Sequence, residues 1–221
     1  MTWDPVWEKI FRQQAWGKYP GEDLIRFVAR NFYGVGSRKD IKILEVGCGP
    51  GANLWYMAKE GFQVYGIDGS PTAIEQAQIR LDSECPNWNG QLLVGDISTL
   101  PFPDEYFDAV MDNGAVTCNS QENSILIYSE MARVVKKQGK IFSRTIAKGC
   151  WGDETGEHVG YDAYIVDEGP LLGMGYIRFA KYEDIENLVR DFSIQEVQLL
   201  SREYMDVKKS VKEWVIIGVK K

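Results

Sequence analysis

Histidine is nearly missing from this chain of 221 residues, where His158 stands alone. The four cysteines, Cys48, Cys85, Cys118 and Cys150, are far apart and never form C-x-x-C. Together these scarcities exclude the usual zinc patterns, so no metal is expected. Isolated cysteines suit a reducing compartment, where the residue acts as a small buried hydrophobe. A basic excess is also lacking: 25 Lys and Arg against 32 Asp and Glu leave a net charge of -7, which argues against a nucleic-acid partner. No apolar run approaches the roughly 20 residues that cross a bilayer. The N-terminus carries Asp4 and Glu8 and has no apolar signal-peptide region. A cytoplasmic protein with no membrane partner is expected. Repeats and low-complexity tracts are absent too.

The informative stretch runs from Lys42 to Asp68. Ile43, Leu44 and Val46 form the short apolar run of a doubly covered parallel strand. Gly47, Gly49 and Gly51 let the backbone turn sharply and approach a ligand. Leu54, Trp55, Met57 and Ala58 suit the packed face of a helix, and Val64 to Ile67 make a second strand that ends on Asp68. This is a βαβ unit, with a nucleoside-type ligand expected across its strand ends.

Ahead of it, Pro5–Gln14 and Glu22–Phe32 read as helices joined through Trp16 to Pro20. After it, Ser70-Pro71 starts a helix as N-cap and first helical residue. Leu92–Val94 and Phe107–Met111 are the next strands. Asn119 and Glu122 have capping-box spacing before a helix that Gly139 closes, and Ile141–Thr145 form a fifth strand. From 147 to 180 the pattern dissolves into glycine, acid and aromatic residues, a length that suits a lid or binding surface. Helical spacing returns over Tyr182–Phe192, followed by strands at Ile194–Leu200 and Trp214–Val219. The length suits one domain, 1–221, built as an open α/β sheet of seven strands.

The turn Glu45-Val46-Gly47-Cys48-Gly49-Pro50-Gly51 is E-x-G-x-G-x-G, not the dinucleotide G-x-G-x-x-G. With Asp68 closing the next strand, it resembles the class I S-adenosylmethionine-dependent methyltransferases. Val94 to Gly114 is similar to the same family's third-strand acid and fourth strand. The resemblance implies a Rossmann-like, three-layer, mostly parallel sheet of order 3-2-1-4-5-7-6 with strand 7 antiparallel. It also implies an N-terminal helical lid over 1–33, with Trp16 and Tyr19 as lid residues, although these aromatics can equally pack the sheet edge.

S-adenosylmethionine offers a ribose diol, an adenine edge, an amino-acid tail and a sulfonium, and leaves as S-adenosylhomocysteine. Asp68 suits the ribose hydroxyls. The amides around Gly47, Cys48, Gly49 and Gly51 suit the tail carboxylate, and Glu45 the tail ammonium. By resemblance Asp96 meets the adenine amine and Ile97 its ring; the plain alternative for Asp96 is a cap on the next turn. Gly69 departs from the family, which often has an apolar residue there, so adenine packing on that side has to come from elsewhere.

Methyl transfer mainly needs alignment and exclusion of water, and a base only for a poor nucleophile. Asn113 matches the family position near the methyl group. His158 is the candidate base by residue type, against the plain reading of a solvated loop residue; Glu154 and Glu157 are weaker candidates. Trp151, Tyr161, Tyr164 and Tyr176 either line an acceptor pocket within 147–180 or anchor that segment. The expected activity is methylation of a hydroxyl or amine, less readily a carbon, of a small molecule. The alternatives are a non-catalytic cofactor-binding subunit or sensor and, against the turn and Asp96, a NAD-dependent oxidoreductase. Asp112-Asn113-Gly114-Ala115 lacks the adjacent prolines of nucleic-acid amino-methylases.

Overall fold

The computed structural model describes residues 3–204 and 208–221. Its main sheet contains β1 (Lys42–Val46), β2 (Gln63–Asp68), β3 (Asn89–Val94), β4 (Phe107–Asn113), β5 (Val135–Ile146), β9 (Phe192–Glu203) and β10 (Ser210–Lys220). The order is β3-β2-β1-β4-β5-β10-β9. The first five strands pair in parallel, and β10 runs antiparallel to both β5 and β9. This is the order 3-2-1-4-5-7-6 expected from the resemblance.

Burial explains the apolar runs. Neighbouring residues in a strand point to opposite faces, and Ile43 and Leu44 are both fully buried. On the Ile43 side lie α2 (Glu22–Phe32), α3 (Ala52–Lys59) and α4 (Pro71–Glu84), through Phe27, Leu54, Met57 and Leu81. On the Leu44 side lie α5 (Gln121–Val134) and α6 (Ile185–Leu188), through Ile127, Met131 and Leu188. Each such side chain contributes about 1.5–3 kcal/mol by leaving water. Among the described residues no helix is long and apolar enough to cross a membrane.

Several local expectations are corrected. Ser120, not Asn119, caps α5, accepting from the Asn123 amide at 3.2 Å. Asn119 is occupied by the 3-10 turn before it: its amide donates to Val116 O, and its side chain donates to Ala115 O at 3.3 Å. Gly139 does not close the helix. α5 ends at Val134 and the chain passes straight into β5, where Gly139 sits at a register slip opposite Phe107 and Ala109. A Cβ there would lie 2.8 Å from Lys136 O and 3.0 Å from Asp108 O, so crowding by backbone demands glycine. The helical spacing over 182–192 yields only a 3-10 turn and the four-residue α6, because Phe192 already belongs to β9.

The patternless segment folds as a small antiparallel sheet of β6 (Glu157–Gly160), β7 (Ala163–Ile165) and β8 (Ile177–Arg178). Its base is pinned where Lys148 N donates to Ala180 O and Ala180 N to Ile146 O. Ile146, Val166, Ile177 and Phe179 give it a core of its own.

Candidate functional site: a cleft at the strand ends beneath the first helix

The carboxyl ends of β1, β2 and β4 open into a cleft of about 870 Å³. Its roof comes from residues 3–16, which include α1 (Val6–Gln13). Glu8 clasps this roof to the start of α4: its carboxylate accepts from Ser70 Oγ, and from Thr72 Oγ1 at 2.7 Å. Gln76 adds a bond to Phe11 O at 3.0 Å.

The glycine turn forms the floor. Gly47, Gly49 and Gly51 have φ of 63°, 51° and 78°, the left-handed region that side chains avoid. A Cβ on Gly47 would lie 2.1 Å from Ala115 Cβ. Gly47→Ala therefore adds a steric clash to a strained backbone and is expected to cost about 2–4 kcal/mol. Urea unfolding measures this cost, and Ala115→Gly in the same chain should recover part of it.

The turn's amides serve the protein itself. Gly47 and Cys48 both donate to Ile67 O, Gly51 donates to Cys48 O, and Gly49 donates to Asp68 Oδ2 at 2.8 Å. Within the chain, then, one of these amides faces a carboxylate, that of Asp68, and the others face backbone carbonyls. The open donors are the first-turn amides of α3, which no side chain caps, and Ala52 and Asn53 line the cleft there.

Two acids meet above the floor. Asp68 accepts from Gly49 N through Oδ2 and from Ser70 N through Oδ1, both at 2.8 Å. Each oxygen keeps a lone pair for a further donor. Burial raises its pKa. Glu45 is 2% exposed; Oε1 accepts from Asn53 Nδ2 at 2.5 Å, and Oε2 has no partner. Burial pushes its pKa up to about 8, with Asp112 and Asp68 adding to the rise and the Asn53 bond opposing it. A buried acceptor without a donor is a costly feature that an incoming ammonium would relieve. A glycine floor, a buried acid with lone pairs to spare and an orphan acceptor thus line one cleft.

Beyond the end of β3, Gly95 and Ile97 line the cleft, whereas the Asp96 side chain accepts from Ser98 N and Oγ at 3.0 and 2.8 Å. That bonding is the turn cap named as its alternative role. Gly69 also lines the cleft, and the Trp3 ring lies directly on it: a Cβ at 69 would sit 2.4 Å from Trp3 Cδ2. Trp3 thus lays an apolar ring where Gly69 has no side chain, brought from 66 residues upstream.

The remaining candidates divide. Trp16 and Asn113 line the cleft. Tyr19 does not; it is 71% exposed and packs edge-on against Trp55, held on the outer side of α3 by that ring and Arg80. His158 is exposed on β6 with its ring 5.1 Å from Tyr164, outside the cleft, so the pairing that builds the small sheet carries it away from a base role. Glu154 pairs with Lys148, and Glu157 is exposed on β6. The four aromatics of 147–180 are anchors: Trp151 packs on Tyr204, Tyr161 donates to Asp184, Tyr164 packs on Phe179, and Tyr176 packs beside Gly160.

Sequence reasoning missed Trp3, Asp4, Trp7 and Phe11 in the roof, and Asn53, Cys118 and Asn119 in the walls. The signal was an aromatic cluster with acids in and just ahead of the first helix, and nothing in its spacing says what it faces.

Residues 43–139 match the model of a methyltransferase domain. The chain is similar to a malonyl-[acyl-carrier protein] O-methyltransferase from Pseudescherichia vulneris, 30% identical over 52% of this chain and 43% of that enzyme. It is also similar to a sterol 24-C-methyltransferase from Gibberella zeae, 32% identical over 54% of this chain and 32% of that one. The chain thus spans less than half the length of these relatives. Among solved structures, a SAM-dependent methyltransferase from Methanosarcina mazei superposes with a TM-score of 0.65 at 22% identity, covering 81% of this chain and 92% of that one, a likeness of fold.

Proposed function

We propose that this chain, whose residues 43–139 match a methyltransferase-domain model, uses S-adenosylmethionine to methylate a hydroxyl or amine, less readily a carbon, of a small molecule. The relatives include O- and C-methyltransferases, so their names leave the acceptor atom open. One observation carries the reading. Asp68, Glu45 with its orphan oxygen, and the glycines Gly47 and Gly49 of the turn all line one cleft, which is the set of groups a nucleoside with an amino-acid tail would use.

The cofactor would supply an electrophilic methyl group. Asp68 would hold the ribose hydroxyls, Glu45 the tail ammonium, and the first-turn amides of α3 the tail carboxylate. Gly95 and Ile97 would border the base on one side and Trp3 on the other. Asn113, at the end of β4, would face the acceptor. The roof would exclude water and hold the two reactants in line.

Calorimetry on ligand-free protein tests this. S-adenosylmethionine and S-adenosylhomocysteine should bind with one site per chain, and NADH should not compete. A chain that binds neither sulfur nucleoside refutes the reading.

A further inference from the structure

The acceptor end of the cleft has a distinctive charge pattern. Among the described residues that line it, no lysine, arginine or histidine occurs, while Asp4, Glu45 and Asp68 all do. Glu45 and Asp68 belong to the nucleoside side, which leaves Asp4. Its Oδ1 accepts from Val6 N at 2.9 Å and starts α1, and its Oδ2 lies beside Gly175 of the small sheet's last loop. Trp7 and Cys118 line the cleft beside it, and the Asp4 charge adds to the rise in the Cys118 thiol pKa that burial causes. Next along the chain, Asn119 is 6% exposed and lines the cleft, with its Oδ1 buried and without a donor. The cleft therefore holds two further hydrogen-bond acceptors, Asp4 and Asn119, and is lined as well by the edge-packed rings of Trp7 and Trp16.

We propose that this subsite takes an aromatic amine and rejects carboxylates, resting on the methyltransferase reading above. A carboxylate would bring a second negative charge next to Asp4 and give the Asn119 oxygen nothing to accept. An amine on a flat ring gives both oxygens an N–H, and its ring suits the indole walls. Such an amine is neutral near pH 7, so its lone pair is free. As the new N–C bond forms, the S–C bond breaks and its electron pair stays on sulfur. The nitrogen, now cationic and about as acidic as a carboxylic acid, passes a proton to the Asp4 carboxylate, and its release to water draws the transfer forward. The malonyl relative takes its name from a different kind of acceptor, so its name does not transfer to this wall.

The test uses three probes that share one ring: 5-aminoindole, 5-hydroxyindole and indole-5-carboxylate. Their binding to the full chain saturated with S-adenosylhomocysteine is measured by calorimetry. The amine should bind at least tenfold more tightly than the carboxylate. Asp4→Asn keeps an oxygen for the Val6 amide and should remove most of that preference, and Asp4→Lys should reverse it. Equal binding, tighter binding of the carboxylate, no detectable binding of any probe, or a preference indifferent to Asp4→Lys overturns the proposal. Tightest binding by 5-hydroxyindole overturns the choice of amine. If S-adenosylhomocysteine itself does not bind, the underlying reading fails first, and that result is recorded before any probe is added.

Discussion

Asp68→Ala should lower affinity for S-adenosylmethionine by two to three orders of magnitude. The carboxylate has two oxygens, each holding one backbone amide and each with a lone pair left over. Two charge-assisted bonds to a ribose diol are worth about 3–4 kcal/mol together, which is the expected loss. The variant also frees the Gly49 and Ser70 amides, so some loss of stability comes with it. Asp68→Asn separates the effects: its single oxygen still receives one amide, but the charge is gone, so stability should recover more than affinity does. Titration calorimetry beside thermal unfolding reads both quantities. Affinity within threefold of the parent in Asp68→Ala would rule out the ribose role.

Glu45→Gln should give the opposite pairing, a firmer empty protein that binds its ligand poorly. Burial raises the Glu45 pKa from its ordinary value of 4.5 to about 8. The folded chain therefore holds a proton that the unfolded chain gives up. Its contribution to stability is intact below pH 4.5 and declines as pH climbs toward 8, by up to about 5 kcal/mol. Asp112 behaves alike over a lower window, being pushed up to about 6 chiefly by burial. Glutamine does not titrate, so denaturation midpoints measured from pH 5 to 9 should fall less steeply in the variant.

The same logic applies to binding. An arriving ammonium favours the charged carboxylate, so binding at pH 7 should expel a proton. Heats measured in buffers of different ionisation enthalpy detect that release. Glu45→Gln should abolish it and weaken binding by about ten- to a hundredfold. Identical proton counts in parent and variant would remove Glu45 from the ligand's reach.

How far these residues could be read without coordinates depended on how local their determinants are. The run Ile43-Leu44 and the turn at Gly47–Gly51 are set by neighbours a few positions away, and both formed where expected. So did α4, whose Ser70 accepts from the Ala73 amide. The small sheet did not announce itself, because strands of two to four residues carry no usable alternation and exist only through cross-strand pairing. His158 drew attention by residue type alone, and that long-range pairing decided its place. Trp3 on Gly69 was half visible: the missing side chain at 69 could be noticed, and its substitute, far off in the chain, could not.

The Glu8 clasp has a kinetic corollary. Because the roof carries Trp3, Asp4 and Trp7 as well as the helix that Glu8 ties down, donor and acceptor would share one doorway and one latch. Departure of the spent nucleoside would then have to wait for the carboxylate to let go of Ser70 and Thr72, so residence time, and with it the ceiling on turnover, would be set by a latch that touches neither reactant.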